Sequence, residues 1–407
     1  MSNKIKKAII SISDKSEIKL VLNTLEKYKI NILSSGGTSK EINKLGFKFT
    51  DISEYTKTDE ILNGRVKTLH PKLYAGILSK RDNKKHKKEL KKNNYEEIDL
   101  VIVNFYPFEE ILKKTKNHNK LIENIDIGGP TLVRAAAKNY KYTTILTSPY
   151  QYNKFVLDLE KNKGSTSLKL RKELSQEAFN LTAYYDSVIS EYLSIDNDNK
   201  FPQKKTIYGN LIEVLRYGEN PHQKSAIYSK NTNLDIVQLS GKKLSYNNYN
   251  DIYAALSISK TLPKNTGTVI VKHANPCGVS KNNNKIKSFR EALASDPVSA
   301  FGGIVSCNFK VDKKTALELN KIFLEVVIGN GFDVNALNIL KKKKNLRIID
   351  ASNLKIENAE NITSNFNSML LQSSDTNKFS TKDFKVVSKQ KPNSKTLKNL
   401  IFAFNVC

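Results

Sequence analysis

In the first half of the chain, short apolar runs typical of strands alternate with segments whose apolar residues have helical spacing. Short, mostly apolar runs predict buried strands at 7–12, 30–33, 99–104 and 143–146. Apolar residues at helical spacing predict helices at 16–28, 129–138 and 168–193. Strands that alternate with helices predict a parallel sheet covered by helices on both faces. Ligands bind such sheets at the carboxyl ends of the strands, so residues that follow the strands are the first candidates for function.

A polar stretch near the middle of the chain separates this pattern from a second one. Residues 195–205 lack apolar periodicity and predict a linker. Beyond it, a second α/β unit is expected, with strands at 268–271 and 304–309 and helices near 251–262 and 313–323. We therefore expect a first domain at 1–195, a linker at 196–207 and a second domain at 208–407.

Composition narrows the class of protein. With 407 residues, of which 39% are hydrophobic, the chain is long and apolar enough for two or three domains with large cores. No apolar run reaches the roughly 18 residues that a membrane helix needs. The basic N-terminus does not continue into a signal peptide, and the three cysteines are too far apart for a zinc or disulfide pattern. We expect a cytoplasmic α/β protein without a membrane partner or a metal.

The net charge of +27 comes almost entirely from lysine. Lysine and arginine together number 67, but only seven of these residues are arginines, and the lysines are scattered over the whole chain. Nucleic-acid-binding surfaces usually concentrate arginine and aromatic residues on one face. A basic nucleic-acid-binding protein is therefore the least favoured function, and we expect no nucleic-acid partner. The positive field would still attract anionic small substrates.

Two segments in the first half are candidates for anion binding. Residues 35–38 (Ser-Gly-Gly-Thr) follow a predicted strand and open a helix, where free N–H groups suit a phosphate. An ordinary strand-to-helix turn has the same sequence pattern. The segment 64–71 places Arg65, Lys67 and His70 in one loop, which is either an anion site or a solvated basic loop.

Two further segments bring acid–base groups to strand ends. Tyr106 follows a predicted strand, and Asp126 precedes the predicted helix that ends at Lys138. Taken singly, Asp126 is typical of a helix N-cap and Lys138 of a solvated helix end. Together with Lys67 they form a set of one acid, one phenol and two lysines, which could transfer protons at a nitrogen and a carbonyl group.

The second unit contains a more specific signal. A predicted strand ends in Lys272 and His273, and a turn is expected at the Pro and Gly residues of 276–278. A histidine at a strand end can act as a general base near neutral pH, and a neighbouring ammonium can polarise a carbonyl oxygen. The alternative is a histidine satisfied by hydrogen bonds in a turn. The segments 215–223 and 296–303 are each either a ligand loop or a tight turn.

Taken in order, nine segments of the sequence resemble one known family. They are SISDKS, SSGGTSKEI, GRVKTLHP, NFYPF, IDIGGPTLVRAAAKN, LRYGENPHQ, VKHANPCGV, SDPVSAFGGI and the ending FAFNVC. The family is the bifunctional purine-biosynthesis protein in which AICAR (phosphoribosylaminoimidazolecarboxamide) formyltransferase is joined to IMP cyclohydrolase. The resemblance implies formyl transfer from 10-formyltetrahydrofolate to AICAR, followed by dehydrative closure of formyl-AICAR to IMP. It also implies a methylglyoxal-synthase-like first domain, a cytidine-deaminase-like second domain, no catalytic metal, and a homodimer.

The same resemblance implies roles for particular residues. In the first domain it implies nucleotide contacts at Ser13, Asp14, Lys15, Ser35, Gly36, Gly37, Thr38, Arg65, Val66, Lys67, Thr68, Val103, Asn104, Asp126 and Ile127. The proton donor and acceptor for ring closure is implied at Lys138, with Lys67, Tyr106 and Asp126 as its partners. In the second domain the resemblance implies His273 as the proton acceptor and Lys272 as the transition-state stabiliser. It implies AICAR contacts at Arg216, Tyr217, Gly302 and Glu325.

The end of the chain departs from the family's pattern. After residues 402–407 the family continues through a Lys-Ser-Asn motif and later folate-site motifs, which are not found in this sequence. We therefore expect a fragment with an incomplete second domain that retains cyclisation and loses most or all formyl transfer. Two alternatives remain open, which are a cyclohydrolase alone and a regulatory module that binds a nucleotide or phosphate.

Overall fold

The computed structural model of the protein describes residues 4–195, 201–355, 360–375, 377 and 379–406. The chain forms two compact units, Met1–Tyr208 and Gly209–Cys407. The predicted linker at 196–207 lies partly outside the described residues, so the predicted domain boundaries stay a prediction.

A parallel five-stranded sheet forms the centre of the first unit. Its strands are β1 (Lys7–Ser11), β2 (Asn31–Ser34), β3 (Thr50–Asp51), β4 (Leu100–Val103) and β5 (Thr144–Leu146). They lie in the order β3-β2-β1-β4-β5. The side chains of β4 are buried on both faces, as expected for a continuous apolar run in the middle of a parallel sheet. The predicted parallel sheet is therefore confirmed.

Ten helices of the described chain surround this sheet. They are α1 (Ile18–Lys27), α2 (Gly36–Lys44), α3 (Ile52–Thr56), α4 (Pro71–Leu78), α5 (Lys84–Lys92), α6 (Phe108–Lys114), α7 (His118–Glu123), α8 (Gly128–Lys138), α9 (Tyr152–Lys161) and α10 (Leu168–Ser194). The long helix α10 packs its buried residues, among them Leu174 and Ala178, against α8 and β5. Burial of a side chain the size of leucine stabilises the folded state by roughly 1.5–3 kcal/mol. The buried residues of α10 belong to the core of the first unit, so this helix stabilises that core.

A mixed six-stranded sheet forms the centre of the second unit. Its strands are β8 (Val237–Ser240), β9 (Gly267–Lys272), β10 (Asn275–Lys281), β11 (Ile304–Cys307), β12 (Val326–Gly329) and β13 (Arg347–Asp350). They lie in the order β10-β9-β11-β12-β13-β8. Strands β11, β12 and β13 are parallel to one another, whereas β9 runs antiparallel to β11. The expected second α/β unit is present, but its sheet is only partly parallel.

Helices cover both faces of this mixed sheet. The remaining elements are the hairpin strands β6 (Asn210–Leu215), β7 (Ser225–Ser229), β14 (Asn361–Asn365) and β15 (Ser368–Gln372), and the helices α11 (Tyr246–Ser259), α12 (Lys285–Ser295), α13 (Lys313–Leu319), α14 (Val334–Leu340) and α15 (Ser394–Val406). The apolar face of α11 packs with one layer of buried strand residues, and those of α12, α13 and α14 pack with the other. The last predicted helix residue, Cys407, lies outside the described residues.

The structure corrects the predicted turn after Lys272. The turn is formed by His273 and Ala274, which have φ angles of 54° and 58°, and not by the Pro and Gly residues at 276–278. Positive φ at both central residues is the geometry that joins two antiparallel strands with their natural twist. Residues 276–278 belong to β10, which is an edge strand with an irregular register at this point. A proline is tolerated there because an edge position does not require its missing N–H group.

The predicted helix at 251–262 begins earlier than expected, at Tyr246. A reciprocal capping box explains this start, because the Ser245 side chain accepts from the Asn248 N–H while the Asn248 side chain accepts from the Ser245 N–H. The predicted helix at 313–323 ends at Leu319, and the predicted strand at 304–309 ends at Cys307.

Candidate functional site

A cleft of about 730 Å³ opens at the carboxyl ends of β1, β2 and β4 in the first unit. This is the edge of a parallel sheet where ligands bind. Segments that are far apart in sequence meet there, because each follows a different strand or precedes a helix. The predicted site residues that line the cleft are Ser13, Lys15, Ser35, Gly36, Gly37, Thr38, Arg65, Lys67, Thr68, Asn104, Tyr106, Asp126 and Ile127.

Two lysines flank the glycines that open helix α2. A Cβ atom on Gly36 would lie 3.5 Å from the Nζ atom of Lys67, and a Cβ atom on Gly37 would lie 3.8 Å from the Nζ atom of Lys15. Gly36 has a φ of 59°, which favours glycine at this position. The side chain of Ser35 makes no capping hydrogen bond to the helix. Two ammonium groups and the positive end of the α2 dipole therefore define an anion site.

Thr38 and Asn104 brace the walls of the cleft. The Thr38 hydroxyl donates to the Ile12 carbonyl at 3.0 Å and accepts from the Ile12 N–H at 2.9 Å. The Asn104 amide oxygen accepts from the N–H groups of Ser13 and Asp14 at 2.7 and 2.9 Å. Because these polar groups hold the chain that follows β1, they position Lys15 at the anion site.

The two cationic side chains of the loop at 64–68 each form an ion pair with a carboxylate. Lys67 lies 3.1 Å from Glu60, and Arg65 makes a two-point ion pair with Glu123 on α7. The Arg65 and Glu123 side chains are both more than half exposed, so this pair contributes little to stability. An anionic ligand would compete with these carboxylates for the two cations.

Asp126 is the partly buried acid of the cleft. Its Oδ1 atom accepts from the Gly129 N–H at 2.8 Å. Burial raises the pKa of Asp126, and the backbone N–H groups of Gly129 and Tyr106 only partly oppose that increase. The Tyr106 side chain is 49% exposed and lines the same cleft. The site therefore holds a carboxyl group with a raised pKa beside an accessible phenol and an ammonium, which is a set suited to proton transfer.

Replacing Gly129 by alanine tests how closely this carboxylate is held. A Cβ atom at Gly129 would lie 2.4 Å from the Oδ2 atom of Asp126, so the carboxylate must move away. We expect Gly129→Ala to lower any rate that depends on Asp126 by about 10²-fold, the typical effect of a misplacement near 1 Å. Circular dichroism should show an unchanged fold, because alanine favours the helix that begins here. A rate equal to that of the wild-type chain would show that the carboxylate position is not important.

Lys138 is not brought to the cleft. It lies exposed at the last position of α8, whereas Gly128 and Gly129 at the first positions line the cleft. A helix rises about 1.5 Å per residue, so about 15 Å of helix separates Lys138 from the acid–base groups. The role that the resemblance implies for Lys138 stays a prediction, and the geometry favours Lys67 in its place.

Three other predicted residues lie next to the cleft without lining it. Val103 is a buried residue at the end of β4, and Val66 pairs its backbone with Ile61 across a short bridge. The Asp14 carboxylate accepts from the Ser16 N–H at 2.9 Å. These residues shape the loops that bear the lining side chains.

Side chains of helix α11 form hydrogen bonds with three segments that bear candidate residues of the second unit. The Asn247 side chain donates to the Glu219 carbonyl at 3.3 Å, in the loop that begins with Arg216 and Tyr217. The Asn248 side chain donates to the Glu325 carboxylate at 3.0 Å. One turn further along, the Asp251 carboxylate accepts from the Ala274 N–H at 2.6 Å and so holds the turn that bears His273.

Lys272 and Gly302 meet at one edge of the mixed sheet. The Lys272 ammonium donates to the Phe301 carbonyl at 3.0 Å, and Gly302 has a φ of 73° that favours glycine. The Glu325 N–H donates to the Gly303 carbonyl at 3.1 Å, which brings Glu325 to the same edge. His273 is exposed at the tip of its turn, and the Arg216 guanidinium stacks on the Tyr217 ring at 5.5 Å.

In the second unit the candidate residues do not all lie at the carboxyl ends of strands, where ligands are expected to bind. Lys272 ends β9, but Gly302, Glu325 and Arg347 lie at the amino ends of β11, β12 and β13. The reason is that β9 runs antiparallel to β11, and Val271 near the end of β9 pairs with Ile304 at the start of β11. The carboxyl end of β9 therefore lies beside the amino end of β11. The Arg347 guanidinium lies 3.5 Å from the Glu325 carboxylate, so this carboxylate has two polar partners.

The structure adds residues to the cleft that the sequence did not indicate. Asn63, Glu123 and Gly128 line it, and Glu60 reaches Lys67. No short-range pattern marks Glu60, which follows Asp59, or Glu123, which follows Ile122. Within the described residues, no group of three or more His, Cys, Asp and Glu side chains is placed to hold a metal ion. None of the helices in the same part of the chain has the length and hydropathy that crossing a bilayer requires.

The parallel sheet with its anion site and acid–base groups defines a nucleotide- or phosphate-handling enzyme of the α/β class. The MGS-like domain family matches residues 17–131, and the AICARFT/IMPCHase bienzyme family matches residues 136–407. The chain belongs to the AICARFT/IMPCHase bienzyme family. It is a bifunctional enzyme of purine biosynthesis, with AICAR formyltransferase and IMP cyclohydrolase functions.

Curated relatives support this assignment over nearly the whole chain. The bifunctional purine biosynthesis protein PurH of Persephonella marina is 43% identical over 411 residues, which are 98% of this chain and 79% of the relative. PurH of Acetivibrio thermocellus is 42% identical and covers 99% of this chain and 80% of the relative. PurH of Agrobacterium fabrum is 41% identical, with coverages of 99% and 76%. The α/β fold class and the enzyme class that the sequence predicts are therefore confirmed.

Proposed function

We propose that the cleft of the first unit is the site of ring closure, the cyclohydrolase step. One observation carries this proposal, which is that Lys67, Tyr106 and Asp126 line the same cleft as Lys15 and the amino end of α2. A nucleotide substrate has a phosphate at one end and a reacting base at the other. Its phosphate would bind at the amino end of α2 beside Lys15, which directs the base toward Lys67, Tyr106 and Asp126.

Ring closure requires a nitrogen to attack a carbonyl carbon. The carboxamide nitrogen of formyl-AICAR attacks the formyl carbon, and one C–N bond forms. The C–O bond of the formyl group then breaks as a C=N bond forms to the formamido nitrogen. Each of the two nitrogens gives up one proton, and the formyl oxygen leaves with two protons as water. Asp126 with its raised pKa is suited to take the proton from this nitrogen. The Lys67 ammonium is suited to stabilise the developing negative charge on the formyl oxygen. The accessible Tyr106 phenol is placed to donate a proton to the oxygen that departs as water.

The edge of the mixed sheet is the proposed site of formyl transfer in the second unit. There the amino group of AICAR attacks the formyl carbon of the folate donor and loses a proton. The bond from the formyl carbon to N10 of the folate breaks, and tetrahydrofolate leaves with a proton on N10. His273 at its exposed turn would accept the proton from the amino group of AICAR, and Lys272 would stabilise the charge on the formyl oxygen. Arg216, Tyr217, Gly302 and Glu325 would hold AICAR, a role supported by the contacts that α11 makes near them.

The remaining expectations concern what the enzyme binds and where it acts. The family's formyltransferases use a formyl-folate, and we propose 10-formyltetrahydrofolate as the donor for this chain. AICAR, formyl-AICAR and IMP are the proposed small-molecule ligands. The homodimer, the cytoplasmic location, and the expectation of no nucleic-acid partner stay predictions.

A spectroscopic assay of IMP formation tests the ring-closure proposal. The purified full chain is given formyl-AICAR, and the same assay is run on Lys138→Met. Turnover by the wild-type chain supports an enzyme, whereas tight IMP binding without turnover would favour a regulatory binding module. Loss of activity in Lys138→Met as large as that caused by removing Asp126 would bring Lys138 into the proton transfer, against the geometry of the cleft.

Replacing Lys15 by methionine tests the anion site. Lys15 reaches the amino end of α2, so its loss removes one charge-assisted contact to a phosphate. Such a contact contributes about 1.5–3 kcal/mol, which predicts at least a tenfold higher Kd for IMP by calorimetry. Lys19→Met is the control, because Lys19 is exposed on α1 and does not line the cleft. Equal weakening in both variants would indicate a diffuse field rather than a site.

A further inference from the structure

Tyr185 is a buried phenol on α10 that has no part in the proton transfers described above. Its side chain is 7% exposed and does not line the cleft. It lies inside the core of the first unit. Burial raises the pKa of Tyr185 to about 12, so its hydroxyl keeps its proton at neutral pH.

The Tyr185 hydroxyl binds the chain on both sides of Ile125. It accepts from the Asp126 N–H at 2.9 Å and is 3.4 Å from the Asn124 carbonyl, to which it donates. One side chain thus fixes the backbone at the point where the Asp126 carboxyl group leaves it. The carboxyl group itself is held from the other direction by the Gly129 N–H.

The Tyr185 ring supports the second acid–base group. It packs against Phe105 at a centroid distance of 5.0 Å and an interplanar angle of 60°, and against Phe108 at 6.3 Å and 73°. Edge-to-face pairs of this kind prefer one relative orientation. Phe105 and Phe108 lie on either side of Tyr106 and Pro107, so the ring limits how the Tyr106 segment can move. The backbone N–H of Tyr106 in turn acts on the Asp126 carboxyl group, whose pKa it lowers.

We propose that Tyr185 is a positioning residue for ring closure, which holds the Asp126 carboxyl group and the Tyr106 phenol at their working distance. The proposal rests on the ring-closure function assigned to the cleft. The hydroxyl acts on Asp126, and the ring acts on Tyr106 through Phe105. Tyr185 does not touch the substrate, so its loss should change the rate of the chemical step and not the binding of the nucleotide.

The variant Tyr185→Phe separates the hydroxyl from the ring. Phenylalanine keeps the packing against Phe105 and Phe108 and removes only the two hydrogen bonds to the chain at 124 and 126. We expect kcat for IMP formation to fall about 10- to 100-fold, the effect of a small misplacement of a reacting group. We expect KM for formyl-AICAR and Kd for IMP to change less than about threefold, since the anion site is untouched.

Tyr184→Phe is the matched control on the same helix. The Tyr184 hydroxyl donates to the Glu109 carboxylate at 2.8 Å, and neither residue lines the cleft. This variant removes one phenol hydroxyl from α10 and should keep the wild-type kcat. Equal kcat losses in the two variants would overturn the proposal, because they would show a general loosening of α10. Wild-type kcat in Tyr185→Phe would also overturn it.

A double variant tests whether Tyr185 acts through Asp126. If it does, adding Tyr185→Phe to Asp126→Asn should lower the remaining rate by less than about threefold, because residues that act as one unit are not additive. If the rate loss of the double variant equals the product of the two single losses, Tyr185 does not act through Asp126 and the proposal is overturned. Asp126→Asn alone keeps the two proposals distinguishable. If that single variant retains the wild-type rate, the ring-closure assignment fails, and if it is inactive while Tyr185→Phe is normal, only the positioning role fails.

Discussion

Replacing Asp126 by asparagine is expected to lower the rate of IMP formation by about 10²- to 10⁴-fold, the usual contribution of a general acid or base. The amide has nearly the same size and keeps an oxygen to accept the Gly129 N–H, so the fold should remain intact. Only the ability to exchange a proton is lost. The measurement is kcat for formyl-AICAR at neutral pH with the purified full chain.

The same substitution is expected to increase the stability of the protein, although it lowers the rate. Burial raises the pKa of Asp126 in the folded protein above its unfolded value, so ionisation of this group opposes folding. Its stabilising contribution is complete below the unfolded pKa and is lost as the pH rises through the folded pKa. Asparagine does not ionise, so Asp126→Asn should gain stability relative to the wild-type chain over that pH range. Thermal unfolding at pH 4 and pH 7 measures the difference.

Asp82→Asn is the control for the rate measurement. Asp82 is exposed, pairs with Lys141 at 2.8 Å, and lies outside the cleft. It should leave the rate of ring closure unchanged. A normal rate in Asp126→Asn would remove Asp126 from the mechanism. A large loss of stability at pH 7 in the same variant would show that its ionised carboxylate supports the fold and does not strain it.

The sequence predicts one acid–base set of Lys67, Tyr106, Asp126 and Lys138, and the structure brings the first three to one cleft but not Lys138. Tyr106 and Asp126 each lie beside a strongly apolar strand or helix, and parallel strands bring such positions to one edge of the sheet. Lys67 belongs to the same set because one arginine, one lysine and one glycine are close together in its loop. Local pattern and sheet topology together are therefore enough to place these three residues in one cleft.

Contacts between distant segments could not be predicted in this way. The bond from Tyr185 to the Asp126 N–H joins residues 59 positions apart, and its sequence signal is one tyrosine among several on a helix. The pairing of Arg65 with Glu123 depends on where α7 lies, and apolar periodicity does not fix the placement of so short and polar a helix. The turn at His273 was missed for a different reason. Positive φ is uncommon for residues other than glycine, so the sequence does not indicate it at His273 and Ala274, which connect the antiparallel pair β9 and β10.

Replacing the buried Arg81 by methionine is expected to destabilise the first unit by about 3–5 kcal/mol, the cost of removing one partner from a buried ionic network. The Arg81 side chain is 4% exposed. Its guanidinium donates to the carbonyls of Ser79 and Ile98 at 2.6 and 2.8 Å and lies 3.6 Å from the Asp99 carboxylate. Methionine fills much of the volume and leaves these acceptors buried without their donor.

Arg81 joins the end of α4 to the start of β4, at the edge of the sheet opposite the cleft. Its loss should therefore lower the thermal unfolding temperature and leave KM of the remaining folded protein unchanged. Lys141→Met is the matched control, because the Lys141 side chain is 63% exposed in its ion pair and exposed pairs contribute at most about 1 kcal/mol. Similar unfolding temperatures for the two variants would show that water or neighbouring groups satisfy the carbonyls around Arg81. A changed KM in Arg81→Met would show that the two edges of the sheet are coupled, so that the cleft depends on packing about one strand length away.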